Sequence, residues 1–239
     1  MKIALLGYGK MGKAINTEAL SQGHEIVLKI GHNNTEELTT KNLQQADVAI
    51  EFSRPEAAFI NLKKCIDAGV PVVSGTTGWL DKMEELKKYC SEKEGAFLYA
   101  SNFSIGVNLF FQLNKKLSRL MAPQSQYQPS ITEIHHTQKL DAPSGTAITL
   151  AKGLLENYST KKSWALSPTT DEQQLAITAE RIDKVPGTHV IEWASEIDTI
   201  AIKHTAHSRK GFVVGALLAA EWIIGKKGCF GMEEVIGGL

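Results

Sequence analysis

The chain has 239 residues, enough for one large domain or for two modest domains that each bury a hydrophobic core. Its 26 lysines and arginines are balanced by 26 aspartates and glutamates. A balanced charge provides no general attraction for nucleic acid or for an anionic membrane, so we expect neither partner. Any anion must then be bound by a local cluster.

The cysteines and the apolar segments exclude further classes of protein. Cys65, Cys90 and Cys229 are widely scattered, without the spacing of a disulfide framework or a zinc module. The N-terminal apolar stretch is too short for a signal peptide, and no segment offers the roughly 20 apolar residues that span a membrane. We therefore expect a soluble, cytoplasmic protein with reduced thiols and no metal site.

The first part of the chain alternates short apolar runs with helical patterns. The runs predict strands at 3–6, 25–30, 47–52, 71–74 and 96–100. Helical patterns follow the first strand directly and recur at 35–44, 55–68 and 80–92. Strands separated by helices indicate right-handed crossovers, and continuous apolar runs are typical of parallel strands that are buried on both faces. We predict a parallel sheet covered by helices.

After residue 102 the rhythm changes. Helices are predicted at 105–121 and 147–155, and a strand is predicted between them at 128–135. Three further strands joined by turns are predicted at 175–181, 189–195 and 199–204, followed by a strongly apolar helix at 213–224. This pattern indicates a second, α+β domain with a mixed or antiparallel sheet.

A glycine-rich turn follows the first strand and opens the first helix. Its sequence, G-Y-G-K-M-G, has the G-x-G-x-x-G spacing of dinucleotide-binding turns, in the strand-to-helix context that such turns require. Backbone amides and the helix dipole then favour a pyrophosphate. We predict an α/β fold with a Rossmann-type parallel sheet domain whose cofactor contacts include Gly7, Tyr8, Gly9, Lys10, Met11 and Gly12.

One part of the dinucleotide fingerprint is missing. The second strand ends in L-K-I-G-H, without the aspartate or glutamate that binds the hydroxyls of the adenosine ribose. A cation at this place can pair with a ribose 2′-phosphate instead. We predict that NADPH is used at least as well as NADH and that Lys29 contributes; an ordinary solvent-facing lysine is the alternative.

Small and polar residues follow the later strands, at the edge where parallel sheets bind ligands. Ser53 is predicted to cap the helix after the third strand. Free amides and hydroxyls after the fourth and fifth strands can approach a nicotinamide ring and bind its carboxamide, although simple turn chemistry is the alternative. The predicted cofactor-lining residues of these loops are Gly75, Thr76, Thr77, Ala100, Ser101, Asn102 and Phe103.

The segment 133–147 carries the strongest chemical signal. Ser144 is a natural N-cap, which leaves the amides of Gly145 and Thr146 available to a carboxylate. His135 and Lys139 add proton transfer and positive charge, which the reduction of an anionic unsaturated compound requires. The alternatives are that one histidine of the pair is merely packed and that Lys139 is a solvated loop residue.

The same segment, E-I-H-H-T-Q-K-L-D-A-P-S-G-T-A, resembles the signature of the dihydrodipicolinate reductase family. The resemblance extends over nearly the whole chain, through the glycine turn and the motifs at 75–78, 100–108, 185–189 and 204–209. The chain departs from the family pattern in being shorter between the second and third strands and in lacking the ribose-binding acid.

The resemblance implies reduction of 4-hydroxy-tetrahydrodipicolinate to tetrahydrodipicolinate with loss of water, with NADH or NADPH, in a homotetramer assembled through the sheets of the second domain. His135 would donate the proton with Lys139 as its partner at the substrate, and His136, Gly145 and Thr146 would hold the substrate carboxylates. Residues 1–103 and 209–239 would form the dinucleotide-binding domain and 104–208 the substrate-binding and oligomerisation domain.

Two other functions are compatible with a nucleotide-binding fold. A two-domain dehydrogenase that acts through a thiol would need an activated cysteine near a histidine. A non-catalytic sensor of nicotinamide nucleotides would have no use for a histidine and lysine beside an anion-binding helix start.

Overall fold

The computed structural model describes residues 1–237, so the last two positions of the predicted first domain lie outside the described residues. The chain divides into two compact units. The first unit combines Met1–Ile105 with the segment that begins at Lys210, and the second unit is Gly106–Arg209.

The described strands, in chain order, are β1 (Lys2–Leu6), β2 (Glu25–Ile30), β3 (Val48–Glu51), β4 (Val72–Ser74), β5 (Ala96–Tyr99), β6 (Gln128–His135), β7 (Ser163–Leu166), β8 (Gln174–Arg181), β9 (Gly187–Ala194), β10 (Thr199–Ala206) and β11 (Gly228–Phe230). The described helices are α1 (Lys10–Ser21), α2 (Thr40–Leu43), α3 (Pro55–Asp67), α4 (Met83–Glu92), α5 (Ile105–Met121), α6 (Gly145–Leu155), α7 (Lys210–Ile223) and α8 (Met232–Val235). Within residues 1–237, no helix combines the length and the apolarity that crossing a membrane requires.

The sheet of the first unit has six parallel strands in the order β11-β5-β4-β3-β1-β2. All four residues of β3 are buried, as expected for a central strand of a sheet that helices cover on both faces. Successive residues of β1 point to opposite faces: Ile3 packs in a core with residues of α1 and α7, and Ala4 packs in a second core with residues of α3 and α4. The predicted parallel, helix-covered sheet is confirmed.

Two glycines allow the first turn to form. Gly7 has a φ of +98°, and a Cβ atom added there would lie 2.1 Å from the carbonyl oxygen of Phe52. A Cβ atom added to Gly12 would lie 2.1 Å from the carbonyl oxygen of Gly7. A side chain at Gly7 would clash with the chain after β3, and a side chain at Gly12 would clash with the turn, so this close packing needs glycine at both positions.

The sheet of the second unit is mixed. Its five strands have the order β10-β9-β6-β8-β7, with β9 antiparallel to both its neighbours and β8 parallel to both of its own. Ile131, Ile177 and Trp193 lie on the buried face, in a core that also contains residues of α5 and α6. Since a mixed sheet was one of the two predicted arrangements, the prediction is confirmed in this form.

Three short elements were not predicted: β7, β11 and α8. The two strands have only four and three residues, too few for a clear pattern in their own sequences. Their extended conformation is stabilised by pairing of β7 with β8 and of β11 with β5. The helix predicted at 35–44 is instead a 3-10 turn at Thr35–Glu37 followed by the single turn of α2. A side-chain cap at Thr39, which accepts a hydrogen bond from the amide of Asn42, starts α2 there.

Candidate active site

A cavity of about 310 Å³ lies at the carboxyl ends of β1, β2 and β3. It is lined by the turn 7–9 after β1, by Gly31 and His32 after β2, and by Ser53 and Arg54 after β3. β1 pairs with both β2 and β3, so this is the place where the strand order reverses. Ligands of open parallel sheets bind in such a crevice.

The glycine turn fits a dinucleotide pyrophosphate. Gly9 is exposed at the N-cap of α1, no side chain caps that helix, and a Cβ atom added to Gly9 would meet no other part of the described chain within 4 Å. An uncapped helix start presents its amides and the positive end of its dipole to an anion. The open space at Gly9 permits the close approach of backbone to phosphate that this binding mode needs.

The predicted cofactor residues differ in what their side chains offer. Gly7, Tyr8 and Gly9 line the cavity, whereas Lys10 is exposed in the first turn of α1, Met11 packs on the core and Gly12 is buried. In the later loops, Thr77 and Ser101 are exposed and Gly75 and Asn102 are half-buried. Thr76, Ala100 and Phe103 are buried, and the Phe103 ring packs against that of Phe52.

A buried carboxylate that the sequence analysis missed organises two of these loops. Glu51, at the end of β3, is fully buried and accepts hydrogen bonds from the hydroxyls of Ser53, Ser74 and Thr76 and from the amide of Ser53. Ser53 was predicted to cap the helix after β3, and this prediction is wrong because its hydroxyl donates to Glu51. Arg54 is the N-cap of α3, and its side chain makes no capping bond. Glu51 ties the loop after β3 to the loop after β4.

The predicted Lys29 lies outside the lining of the cavity, whereas another basic residue, Arg54, lies within it. Lys29 is exposed, and its ammonium lies 5.5 Å from the centre of the Tyr8 ring rather than in the lining of the cavity. The lining instead contains Arg54, whose guanidinium lies 3.2 Å from Nδ1 of His32. The sequence analysis missed this pair because its two residues are 22 positions apart and follow different strands.

In the second unit, strand register gathers a polar cluster on the buried face of the sheet. β6 alternates between buried and half-buried residues, so Glu133 and His135 share the buried face with Ile131. Glu133 is directly opposite His189 of β9, and His135 is directly opposite Arg181 of β8. These four side chains form the Glu133 cluster.

The carboxylate of Glu133 is the centre of this cluster. One oxygen, Oε1, lies 3.0 Å from the Arg181 guanidinium and accepts the amide of Ser144 at 3.1 Å. The other, Oε2, lies 3.1 Å from Nδ1 of His135 and 3.8 Å from Nε2 of His189. Burial by itself would raise the pKa of Glu133, but His135, Ser144 and Arg181 outweigh it and lower that pKa to about 2. Glu133 is therefore ionised at neutral pH.

The start of α6 is held by the same cluster. Ser144 is the N-cap of α6, as predicted: its hydroxyl oxygen accepts the amide of Ala147, and it lies 3.2 Å from Nε2 of His189. Gly145 and Thr146 are the first two residues of the helix, and a Cβ atom added to Gly145 would meet nothing within 4 Å among the described residues. This helix start is accessible to an anion.

Lys139 and His136 lie in the loop that joins β6 to α6. The Lys139 ammonium is paired with Asp141 at 2.8 and 2.9 Å, and the guanidinium of Arg181 donates to the carbonyl oxygens of both residues, at 3.3 Å and 2.7 Å. His136 is half-buried beyond the end of β6. Arg181 therefore connects the loop to Glu133, and the sequence analysis did not identify it.

Metal binding and thiol chemistry are two alternatives for these residues. Glu133, His135 and His189 offer ligand atoms within 4.8 Å of one another, but the Arg181 guanidinium already compensates the carboxylate, and a metal ion would face this cation. We assign the cluster to charge pairing, and the absence of a metal stays a prediction.

The three described cysteines are free. Burial, reinforced by Glu51, raises the pKa of Cys65, and burial together with Cys229 raises the pKa of Cys90 to about 12. A nucleophilic cysteine needs a lowered pKa, so these thiols do not support the thiol-dependent dehydrogenase.

The buried histidine of the cluster predicts a loss of stability in acid. Burial, together with the charge of His135, lowers the pKa of His189 from 6.5 to about 4. The unfolded chain therefore takes up a proton at higher pH than the folded chain. The folded state keeps its full stability above pH 6.5 and loses this contribution of His189 as the pH falls towards 4. At about 1.4 kcal/mol per pKa unit, the free energy of unfolding should fall by about 3 kcal/mol.

Urea unfolding of the wild type and of a His189→Gln variant, at pH 7 and pH 4, measures this effect. The variant should lose less stability than the wild type over the same interval. An equal loss in both proteins would contradict the assignment to His189.

Known proteins resemble the chain along its whole length. Residues 1–103 match the family described as "Dihydrodipicolinate reductase, N-terminus", and residues 106–236 match "Dihydrodipicolinate reductase, C-terminus". The 4-hydroxy-tetrahydrodipicolinate reductase of Christiangramia forsetii is 49% identical over 239 residues, which cover 100% of this chain and 99% of that protein. The enzyme of the same name from Neisseria gonorrhoeae is 32% identical over 225 residues, covering 91% and 82%.

The fold agrees with these matches. The dipicolinate-bound dihydrodipicolinate reductase of Paenisporosarcina sp. TG-14 superposes with a TM-score of 0.78 at 22% identity, covering 98% of each chain. The chain therefore belongs to the dihydrodipicolinate reductase family, the NADH- or NADPH-dependent oxidoreductases of lysine and diaminopimelate biosynthesis.

Proposed function

We propose that the chain reduces 4-hydroxy-tetrahydrodipicolinate to tetrahydrodipicolinate with His135 as the proton donor of the reaction. The observation that carries this proposal is the Glu133 cluster, in which one carboxylate contacts both His135 and the N-cap of α6. A group that can donate a proton and a helix start that can bind an anion are thereby held in one rigid arrangement. The Paenisporosarcina reductase binds dipicolinate, and a dicarboxylate of this class suits such a site.

Each predicted residue has a role in this proposal. The amides of Gly145 and Thr146 bind one substrate carboxylate, and His136 and the Lys139 ammonium supply further positive or hydrogen-bonding groups in the adjoining loop. Bound NADH or NADPH supplies the hydride. The 4-hydroxyl group leaves as water with a proton from the neighbouring carbon, which creates a C=C bond conjugated to the C=N bond. Hydride addition to this unsaturated compound leaves an electron pair on the substrate, and His135 supplies the proton that it takes up.

The two units are assigned to the two tasks. The glycine turn, with its uncapped helix start, supports a nucleotide-binding role for the first unit, to which the loops after β4 and β5 add the nicotinamide contacts. The Glu133 cluster supports a substrate-binding role for Gly106–Arg209. The free cysteines are compatible with a cytoplasmic location.

We also propose a homotetramer assembled through the sheet of the second unit. One face of this sheet forms the core, whereas the alternate residues on its other face, such as Thr132, Val190 and Glu192, are only half-buried. The middle of a five-stranded sheet with a half-buried, partly apolar face is suited to burial against a second copy.

Replacing His135 should abolish most of the turnover. His135→Ala is expected to lower kcat at least about a hundredfold, which is the lower range for general-acid catalysis, while the dissociation constant for NADH stays within about twofold. Loss of nicotinamide absorbance with substrate made in situ measures turnover, and nicotinamide fluorescence measures binding. His24→Ala, in the first unit, is the matched control. Near-wild-type turnover of His135→Ala would exclude His135 as the proton donor.

Arg54, rather than Lys29, is expected to decide the cofactor preference. A charged hydrogen bond contributes about 1.5–3 kcal/mol, so Arg54→Gln should weaken NADPH binding about tenfold or more and NADH binding by less than about twofold. Titration calorimetry with both cofactors measures this, and Lys29→Ala is the matched loss of one positive charge. A change of the NADPH/NADH ratio in Lys29→Ala but not in Arg54→Gln would return the role to Lys29.

The oligomer can be tested by placing a charge on the half-buried face of the sheet. Light scattering of the wild type should give about four times the chain mass of 26.1 kDa, and Val190→Lys should give a smaller particle because a buried ammonium is costly. Ile197→Lys, in the exposed turn between β9 and β10, should leave the mass unchanged. A wild-type protein of one chain mass would exclude the tetramer.

A further inference from the structure

Glu133 does not have the contacts of a simple ion pair. Its side chain has no exposure to solvent, so its charge must be compensated entirely by neighbouring groups. Oε1 has two donors, the Arg181 guanidinium and the Ser144 amide. Oε2 has no aligned hydrogen bond among the described residues, and its neighbours are two imidazoles.

The geometry favours His135 as the donor to Oε2. Nδ1 of His135 lies 3.1 Å away, which suits a charged hydrogen bond, and a small rotation of the ring would align the two groups. Nε2 of His189 is farther, at 3.8 Å, and lies closer to the Ser144 hydroxyl, at 3.2 Å. Nε2 of His189 can therefore pair with the Ser144 hydroxyl, whereas Nδ1 of His135 lies beside the carboxylate.

The opposite edge of the His135 ring faces backbone without a side chain. A Cβ atom added to Gly187 would lie 3.0 Å from Nε2 and 3.2 Å from Cδ2 of His135. Glycine at this position therefore keeps the Nε2 edge clear. With Nδ1 directed at Glu133, Nε2 is the nitrogen left for proton exchange.

We propose that Glu133 is the positioning residue of the proton donor: its Oε2 accepts the Nδ1 proton of His135, orients Nε2 towards the substrate and stabilises the imidazolium. This inference rests on the proposed function of His135. Arg181 and Ser144 hold Oε1, so that the same carboxylate also fixes the start of α6. One carboxylate, that of Glu133, then positions both the proton donor and the helix start that binds an anion.

The proton balance follows from this arrangement. When the substrate has accepted a hydride, the N–H bond at Nε2 breaks, the bonding electron pair stays on the imidazole, and the proton passes to the substrate's new electron pair. His135 is left neutral with its proton on Nδ1, still bonded to Glu133. A proton taken up from the solvent then restores the N–H bond at Nε2. Glu133 remains ionised throughout, because Arg181 stabilises its charge.

Other charged or titratable groups lie around the pair of Glu133 and His135. Arg181 is on β8, His189 on β9, His204 opposite His189 on β10, and the Lys139–Asp141 pair lies in the loop. His189 has its pKa lowered to about 4 by burial and by His135, so it is neutral where the enzyme works. Two imidazoles thus lie beside one carboxylate, and His135 is the nearer of the two.

Glu133→Gln tests the proposal without changing the size of the side chain. The amide oxygen can still accept from Ser144 and Arg181, but its NH₂ group then faces Nδ1 and the imidazolium loses its counter-charge. Loss of the opposite charge destabilises the imidazolium relative to the neutral ring, so the alkaline limb of the kcat/KM profile should move at least about one unit to lower pH. At pH 8, kcat should fall about tenfold or more, with recovery as the pH is lowered.

The control is Glu180→Gln, an exposed glutamate next to Arg181 on β8, whose profile should match the wild type. A fall in kcat of Glu133→Gln at every pH, with no shift of the profile, would overturn the proposal and leave Glu133 a structural residue. Unchanged rate and profile would overturn it as well.

A measurement on the wild-type protein keeps the proposal testable if Glu133→Gln does not fold. Two-dimensional ¹⁵N–¹H spectra of histidine-labelled protein, assigned by comparison with His135→Ala, report which ring nitrogen carries the proton. Neutral His135 should be the Nδ1–H tautomer, and a predominant Nε2–H tautomer would overturn the inference. Because this readout is independent of turnover, an active His135→Ala variant would refute the proposed function separately.

Discussion

The burial of the Glu133 charge is the constraint on which the second unit depends. A carboxylate without solvent must have its charge compensated by neighbouring groups. Here Oε1 accepts from Arg181 of β8 and from the Ser144 amide before α6, and Oε2 lies beside imidazoles of β6 and β9. Each of these elements must keep its register for the charge to be compensated. The geometry of the site is therefore a consequence of compensating one buried charge, and the same contacts fix the positions of His135 and of the start of α6.

The first unit also contains a fully buried acidic side chain, Glu51, but its partners are of a different kind. Glu51 is equally buried, but its described hydrogen-bond donors are hydroxyls and an amide rather than cations. These donors connect neighbouring loops, because Glu51 ends β3 whereas Ser74 ends β4 and Thr76 follows it. In both units a buried acid at the end of a strand connects segments that are distant in the chain.

The meeting of Arg54 and His32 at the cavity of the first unit also follows from the sheet order. β1 lies between β2 and β3, so the residues after β2 and β3 face one cavity although they are about 20 positions apart in sequence. Arg54 and His32 meet there, whereas Lys29, on the strand itself, lies beside the Tyr8 ring. Lys29 is the penultimate residue of β2, and its side chain reaches a different place because side chains alternate between faces along a strand.

Much of the molecule was determined by local patterns in the sequence alone. Apolar runs and helical periodicity predicted the parallel sheet, and they predicted α5 and β6 with the bounds that the structure has. The N-cap at Ser144 and the glycine turn were also visible, because capping and tight turns depend on residues only a few positions apart.

Only the tertiary structure decided what gathers around those residues. His189 and Arg181 meet Glu133 through pairings of β6 with β9 and β8, which connect positions 48 to 56 residues apart. Glu133 itself carried a signal, since the alternation along β6 places an acid on the buried face, but the partners that make its burial possible do not follow from any local pattern. Register between strands depends on the packing of the whole sheet, and for that reason the support of the site could be identified only from the folded chain.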